Sequence, residues 1–251
     1  MRIRTKLGIL CLSVSLIPLF VVSFLFFDSA KKNIEKEVSH KLEAVTKIEA
    51  DSLQRFFLYT KEDLLAATGF YNIKANFPIL KLYRHDRANV TYLKSKEMLD
   101  EQLKVFQSAH QYANVILLSE NGRVLYLSNT EQVSIGFDQL LAGFDKNLLS
   151  KAKGEIVFWD VLRREDKNYP YAMFFAAPVR DFQNIFVGFV VLEIDMNTVY
   201  KLITDNTGLG KTGESLLVRK ESPEKILFLS PRVRNVENIL NRELVLGSPL
   251  A

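Results

Sequence analysis

The chain has 251 residues with a formal net charge of +4, 48% hydrophobic residues and a single cysteine. Arg2, Arg4 and Lys6 supply three of those positive charges. The remainder of the chain is therefore close to neutral despite a sequence pI of 9.0, which removes the electrostatic case for nucleic-acid binding. Cys11 has no second cysteine to pair with, and His40, His85 and His110 lack metal-ligand spacing, so disulfides and a histidine metal site are not expected.

Leu7 to Phe27 is uncharged and rich in Leu, Ile, Val and Phe. A run of about 20 such residues in a helix matches the bilayer core. Positive residues before it and Asp28 after it predict an N-terminus held inside and a chain exported outside. A cleaved leader would need a shorter apolar region and a small-x-small exit, where this chain reads Phe26-Phe27-Asp28. The expected organisation is a cytoplasmic N-terminus over 1–6, a transmembrane helix over 7–27, a long helix plus a first module over 28–207, and a linker with an incomplete second module over 208–251. The expected location is the inner membrane, crossed once.

From Asp28 to about Thr68 no Gly or Pro interrupts the chain. Ile34, Val38, Leu42, Val45, Ile48 and Phe56 recur at helical spacing, opposite a charged face. Such a stripe suits either packing on its own domain or a homodimer. Between Phe70 and Asn89 the pattern loosens around Pro78. A helix is predicted over Val90–Ala109, with Leu93, Met98, Leu99, Leu103 and Phe106 inward. Strand-like runs at 114–118 and 123–128 flank Asn121-Gly122, a strong hairpin signal. A weaker helical stretch covers about Asp138 to Lys151. Strands are expected at 155–162, 171–179 and 185–194, with a turn at Asp181–Asn184 and a helix from Met196 to Thr204. A short strand at 214–218, a turn at 219–225, a strand at 226–229 and a helix near Val236–Leu244 complete the pattern. The fold class is α+β with a mainly antiparallel sheet.

Gly208-Leu209-Gly210-Lys211-Thr212-Gly213 matches G-x-G-x-x-G, but it follows a helix and opens a strand, the reverse of a dinucleotide site. A phosphate-binding loop would need glycine at position 205, where Asp stands. The segment reads as a glycine turn. Thr207 to Val218, TGLGKTGESLLV, also resembles the linker between the modules of double Cache sensor domains. The strand ending Ala176-Ala177-Pro178-Val179-Arg180-Asp181 is similar to the family's a-a-P-v-x-D. Val187-Gly188-Phe189 through Asp195 resembles the strand after it. The resemblance spans roughly 28–235.

It implies PAS-like modules, extracytoplasmic sensing of a small molecule, and an output of histidine-kinase, chemoreceptor or diguanylate-cyclase type beyond this chain. It implies no enzyme activity within the chain and no cofactor. Family ligands bind over the sheet of the first module. Asp195 and Tyr171 match positions of the amino-acid-binding members, while their Arg-x-Trp pair is absent. The nearest stretch is Phe158-Trp159-Asp160, followed by Arg163 and Arg164. The expected ligand site is Trp159, Arg163, Tyr169, Tyr171 and Asp195. Four of these have an ordinary alternative: Trp159 and Tyr171 as core, Arg163 (with Arg164) as solvated loop, Asp195 as the cap of the next helix. A membrane-tethered accessory or scaffold protein that binds a protein partner is the competing function.

Overall fold

The computed structural model describes residues 3–130, 146–163, 171–203, 209, 213–231 and 243–245. Among these, α1 runs from Ile3 to Thr68. The chain divides into two compact units, Met1–Ala50 with Thr207–Gly213, and Asp51–Asn206 with Glu214–Ala251.

In the first unit, residues 3–50 are helix. From Leu19 to Phe27 the large apolar side chains are exposed, as are Ile34, Val38, Leu42 and Ile48 further along. Side chains of residues 1–13, 15, 17 and 18 lie outside the described ones, so the expected span Leu7–Phe27 is described only in part. Among the described residues no helix is long and apolar enough to cross a membrane.

The second unit begins with the end of α1 and continues into α2 (Tyr71–Leu82) and α3 (Val90–Ala109). The α2 helix corrects the expectation of a loosened segment. It contains Pro78, which removes one backbone donor. However, Ile73, Phe77 and Leu80 fall at i, i+4 and i+7 and are fully buried. Packing of that stripe outweighs the break. Helix α3 starts on Asn89, whose side chain accepts from the Thr91 backbone N–H at 3.0 Å. Its inward face is Tyr92, Ser95, Leu99 and Leu103, whereas Leu93 and Met98, expected inside, are exposed.

Five strands form an antiparallel sheet in the order β2-β1-β5-β4-β3. They are β1 (Asn114–Ser119), β2 (Val124–Leu127), β3 (Val157–Arg163), β4 (Tyr171–Arg180) and β5 (Phe186–Asp195). Two tight turns shape it. Gly122, at φ +78°, closes the β1–β2 hairpin. At the β4–β5 turn Asp181 Oδ1 accepts from the backbone N–H of Gln183 and Ile185, and Asn184 takes φ +63°. Within β5, a Cβ at Gly188 would fall 2.2 Å from Leu118 O and 2.5 Å from Phe77 Cζ. Only glycine lets strand and helix approach so closely.

Both faces of the sheet are apolar, as expected of a sheet buried on two sides. One face, with Val115, Leu117, Met173, Phe175, Val190 and Leu192, packs on the end of α1, on α2, α3 and α5 (Met196–Ile203). The other carries Ile116, Leu118, Trp159, Phe174, Phe189 and Val191, with α4 (Lys146–Lys151) against it. Helix α4 sits at the hairpin end, where a Cβ on Gly122 would meet Leu149 Cδ2 at 2.6 Å.

A second, three-stranded sheet runs β6-β7-β8: Val218–Ser222, Lys225–Phe228 and Glu243–Val245. This corrects three expectations. The strand placed at 214–218 starts only at its end, the turn placed at 219–225 is largely strand, and residues 243–245 pair with β7 where a helix was expected. Strand β6 follows Val218 with the consecutive charges Arg219, Lys220 and Glu221 and is mostly exposed, with no apolar alternation to mark it as a strand. Its periodicity is too short to be read without the partner strand. Gly208, Gly210 and Tyr169 lie outside the described residues.

Candidate functional site

Strand register assembles a row that crosses four strands on the α4 side of the sheet. Asn114 pairs with Glu193, Glu193 with Phe174, and Phe174 with Trp159. Directly paired residues of antiparallel strands share a face, so these four side chains stand side by side. The next row places Asp195 opposite Ala172 and Ala172 opposite Leu162. Ala172 and Ala176 flank Phe174 on the same face, leaving the aromatic rings as the tallest features there. Glu193 is fully buried and Trp159 is 3% exposed.

A carboxylate held inside an otherwise apolar strand is costly unless its environment serves it. Beside it lies a polar cluster. Ser128 Oγ donates to Asn114 Oδ1 at 3.1 Å, and Asn114 Nδ2 donates to Asn129 O at 2.8 Å. Gln107 Nε2 donates to Tyr112 O at 3.1 Å. The row therefore joins a buried acid, a buried amide and two buried aromatic rings at one end of the sheet, the residue types that recognise a small polar molecule.

Of the five expected residues, Trp159 and Asp195 are on this face. Tyr171 is not: it packs against the helix-covered core, where burial raises the Tyr200 hydroxyl well above its ordinary range and Tyr171 and Asp195 add to that. Arg163 pairs with Tyr171 at the sheet edge and is exposed. Tyr171 takes the helix-side face by alternation along β4, with Met173 and Phe175, while a register shift interrupts β3 between Trp159 and Leu162. Val161 joins the helix-side core while Trp159 and Leu162 pack on the other, so simple alternation fails across the bulge. Asp195 Oδ1 accepts from the Asn197 backbone N–H at 2.9 Å, which makes it the cap of α5. Glu193 and Asn114 were missed by sequence reasoning. The one available signal was a charged residue interrupting the apolar run of β5.

No protein-family model matches the chain, and no curated protein matches it. Among solved structures, it is similar to the ligand-binding domain of the Pseudomonas aeruginosa amino acid chemoreceptor PctC, in complex with GABA. The identity is 15%, the TM-score 0.50, and the match covers 80% of this chain and 76% of that one. An extracellular ligand binding receptor from Desulfohalobium retbaense matches at 12% identity and TM-score 0.50, over 79% of this chain and 32% of that chain. The sensor domain of the Vibrio cholerae histidine kinase DctB matches at 13% identity and TM-score 0.46, over 71% of this chain. This chain spans 64% of that domain's length. The chain shares the α+β fold of these domains, a five-stranded antiparallel sheet packed on a long N-terminal helix.

Proposed function

We propose that the chain is the extracytoplasmic sensory module of a membrane signal-transduction receptor of kinase, cyclase or chemoreceptor type, with the output step performed outside this module. The buried Glu193 in the row with Trp159, Phe174 and Asn114 carries this reading. It sits on the face of a PAS-like sheet, a fold shared with a chemoreceptor domain in complex with GABA. Glu193 and Asp195 on one face favour a small ligand bearing a cationic amine. The apolar sequence of Leu7–Phe27, preceded by Arg2, Arg4 and Lys6, supports a single membrane anchor with the module outside. Signalling results if the ligand binds one conformation of the module more tightly than another.

Trp159, the one tryptophan of the chain, makes the test direct. The full chain in lipid nanodiscs is screened against amines, amino acids and organic acids by thermal shift and tryptophan emission. A ligand should raise Tm and change the emission. Glu193→Gln should weaken its binding about tenfold or more, the worth of one charge-assisted hydrogen bond, while the unliganded fold is kept. A folded protein that answers to none of the panel would instead favour the accessory role with a protein partner.

A further inference from the structure

On the opposite side of the sheet from Trp159, a cavity of about 490 Å³ opens between the end of α1, strands β3 and β4, and β6. Its volume falls within the range of small-molecule sites. The floor is aromatic. Phe158 lies 4.8 Å from Phe175 and 6.1 Å from Phe57, ring centre to ring centre. Phe158 keeps 38% of its surface exposed and Val218 41%, apolar area left open to water inside a concave site.

Charge around the cavity is unequal. Its lining includes Lys61, Arg219 and Lys220 against one carboxylate, Asp160. That carboxylate is already engaged: Asp160 Oδ2 accepts from Arg219 Nη1 at 2.8 Å, and Oδ1 accepts from the Val161 backbone N–H at 2.7 Å. The second arm of Arg219 donates to Glu221 Oε1 at 2.8 Å. Arg219 is thus neutralised and fixed. Lys61 and Lys220 form no ion pair with any described residue, so two ammonium groups remain available beside an aromatic floor.

We propose that this cavity is a second ligand site, which takes a small amphipathic carboxylate whose apolar body lies on Phe57, Phe158 and Phe175 and whose carboxylate meets Lys61 and Lys220. Because Lys61 belongs to α1 and Lys220 to β6, such a ligand ties the long helix to the second sheet. The site is independent of Glu193 and of any amine bound there.

The probe is 3-phenylpropionate, with 3-phenylpropanol as its uncharged match, titrated by calorimetry into the full chain in nanodiscs. The acid should bind about tenfold more tightly than the alcohol, as charge-assisted contacts predict. The double substitution Lys61→Gln with Lys220→Gln should erase that preference. Phe158→Ser, at a side chain exposed enough to leave the fold intact, should weaken acid and alcohol alike. Glu193→Gln should change neither. Absence of acid binding, equal affinity for acid and alcohol, or retention of the preference in the double lysine variant would each overturn the proposal. Loss of acid binding in Glu193→Gln alone would do so too, by moving the site to the other face.

Discussion

The Asp100 carboxylate gathers three donors from two elements. Lys96 Nζ is 2.6 Å away, the Tyr126 hydroxyl 2.8 Å and Lys104 Nζ 3.2 Å. Burial by itself would raise this acid. The hydrogen bonds from Lys96 and Tyr126, with the Lys96 charge and Lys104, outweigh it and hold the carboxyl below its ordinary value. A depressed acid contributes stability that is present above its unfolded pKa of about 3.9 and is lost as pH falls through the lower folded value. Asp100→Asn should therefore flatten the acid limb of the stability curve below about pH 4, read as denaturant midpoints across pH. Tyr126→Phe should lower stability by about 1 kcal/mol at neutral pH. At this scale the candidate site was half legible. Trp159 and Asp195 stood out by residue type, and helical start signals exposed the capping role of Asp195. Glu193 did not stand out, because its meaning depends on which residues of three other strands lie beside it, and a single sequence carries no inter-strand register.

Among the elements, those announced by strong local chemistry were readable. The Asn-Gly hairpin, the β-branched run of β5 and the capped α3 fall within a residue or two of their predicted limits. Helix α2 was not readable, because its proline masks a buried stripe that only the sheet beneath it reveals. That contrast yields a measurement. Pro78 is exposed and leaves the Lys74 carbonyl without its i+4 donor. Pro78→Ala should restore that bond and raise stability by about 2 kcal/mol, the roughly 3 kcal/mol helix penalty less the roughly 1 kcal/mol of entropy that alanine returns to the unfolded chain. A higher denaturant midpoint with an unchanged slope would bear this out; a lower midpoint would mean the proline's ring packing matters more than the missing bond.

For the whole molecule, the exposed stripe of Ile34 (61%), Val38 (50%), Leu42 (47%) and Ile48 (65%) is the feature that asks for a partner. Helical apolar stripes at this spacing pair with one another, and we infer a homodimer through this segment of α1. Sedimentation of the full chain in nanodisc-compatible detergent should give two copies, and Val38→Glu with Leu42→Glu should give one. A wild-type monomer would sink the inference. The α+β class and the mainly antiparallel first sheet were legible from the order of elements alone, while the second sheet was not, since its short strands are defined by one another.

The pairing of β1 with β5 has a further cost, in time. Strands β1 and β2, and β4 and β5, close through short turns, but Asn114 must find Glu193 across the whole intervening chain. Such long-range pairing is slow relative to hairpin closure. A chain emerging from its N-terminus would complete the β1–β2 hairpin first and hold the free edge of β1 open until β5 arrives. During that interval the apolar backbone edge of Val115–Leu118 is the segment most exposed to pairing with another chain. Folding this protein thus means guarding one strand while waiting for another.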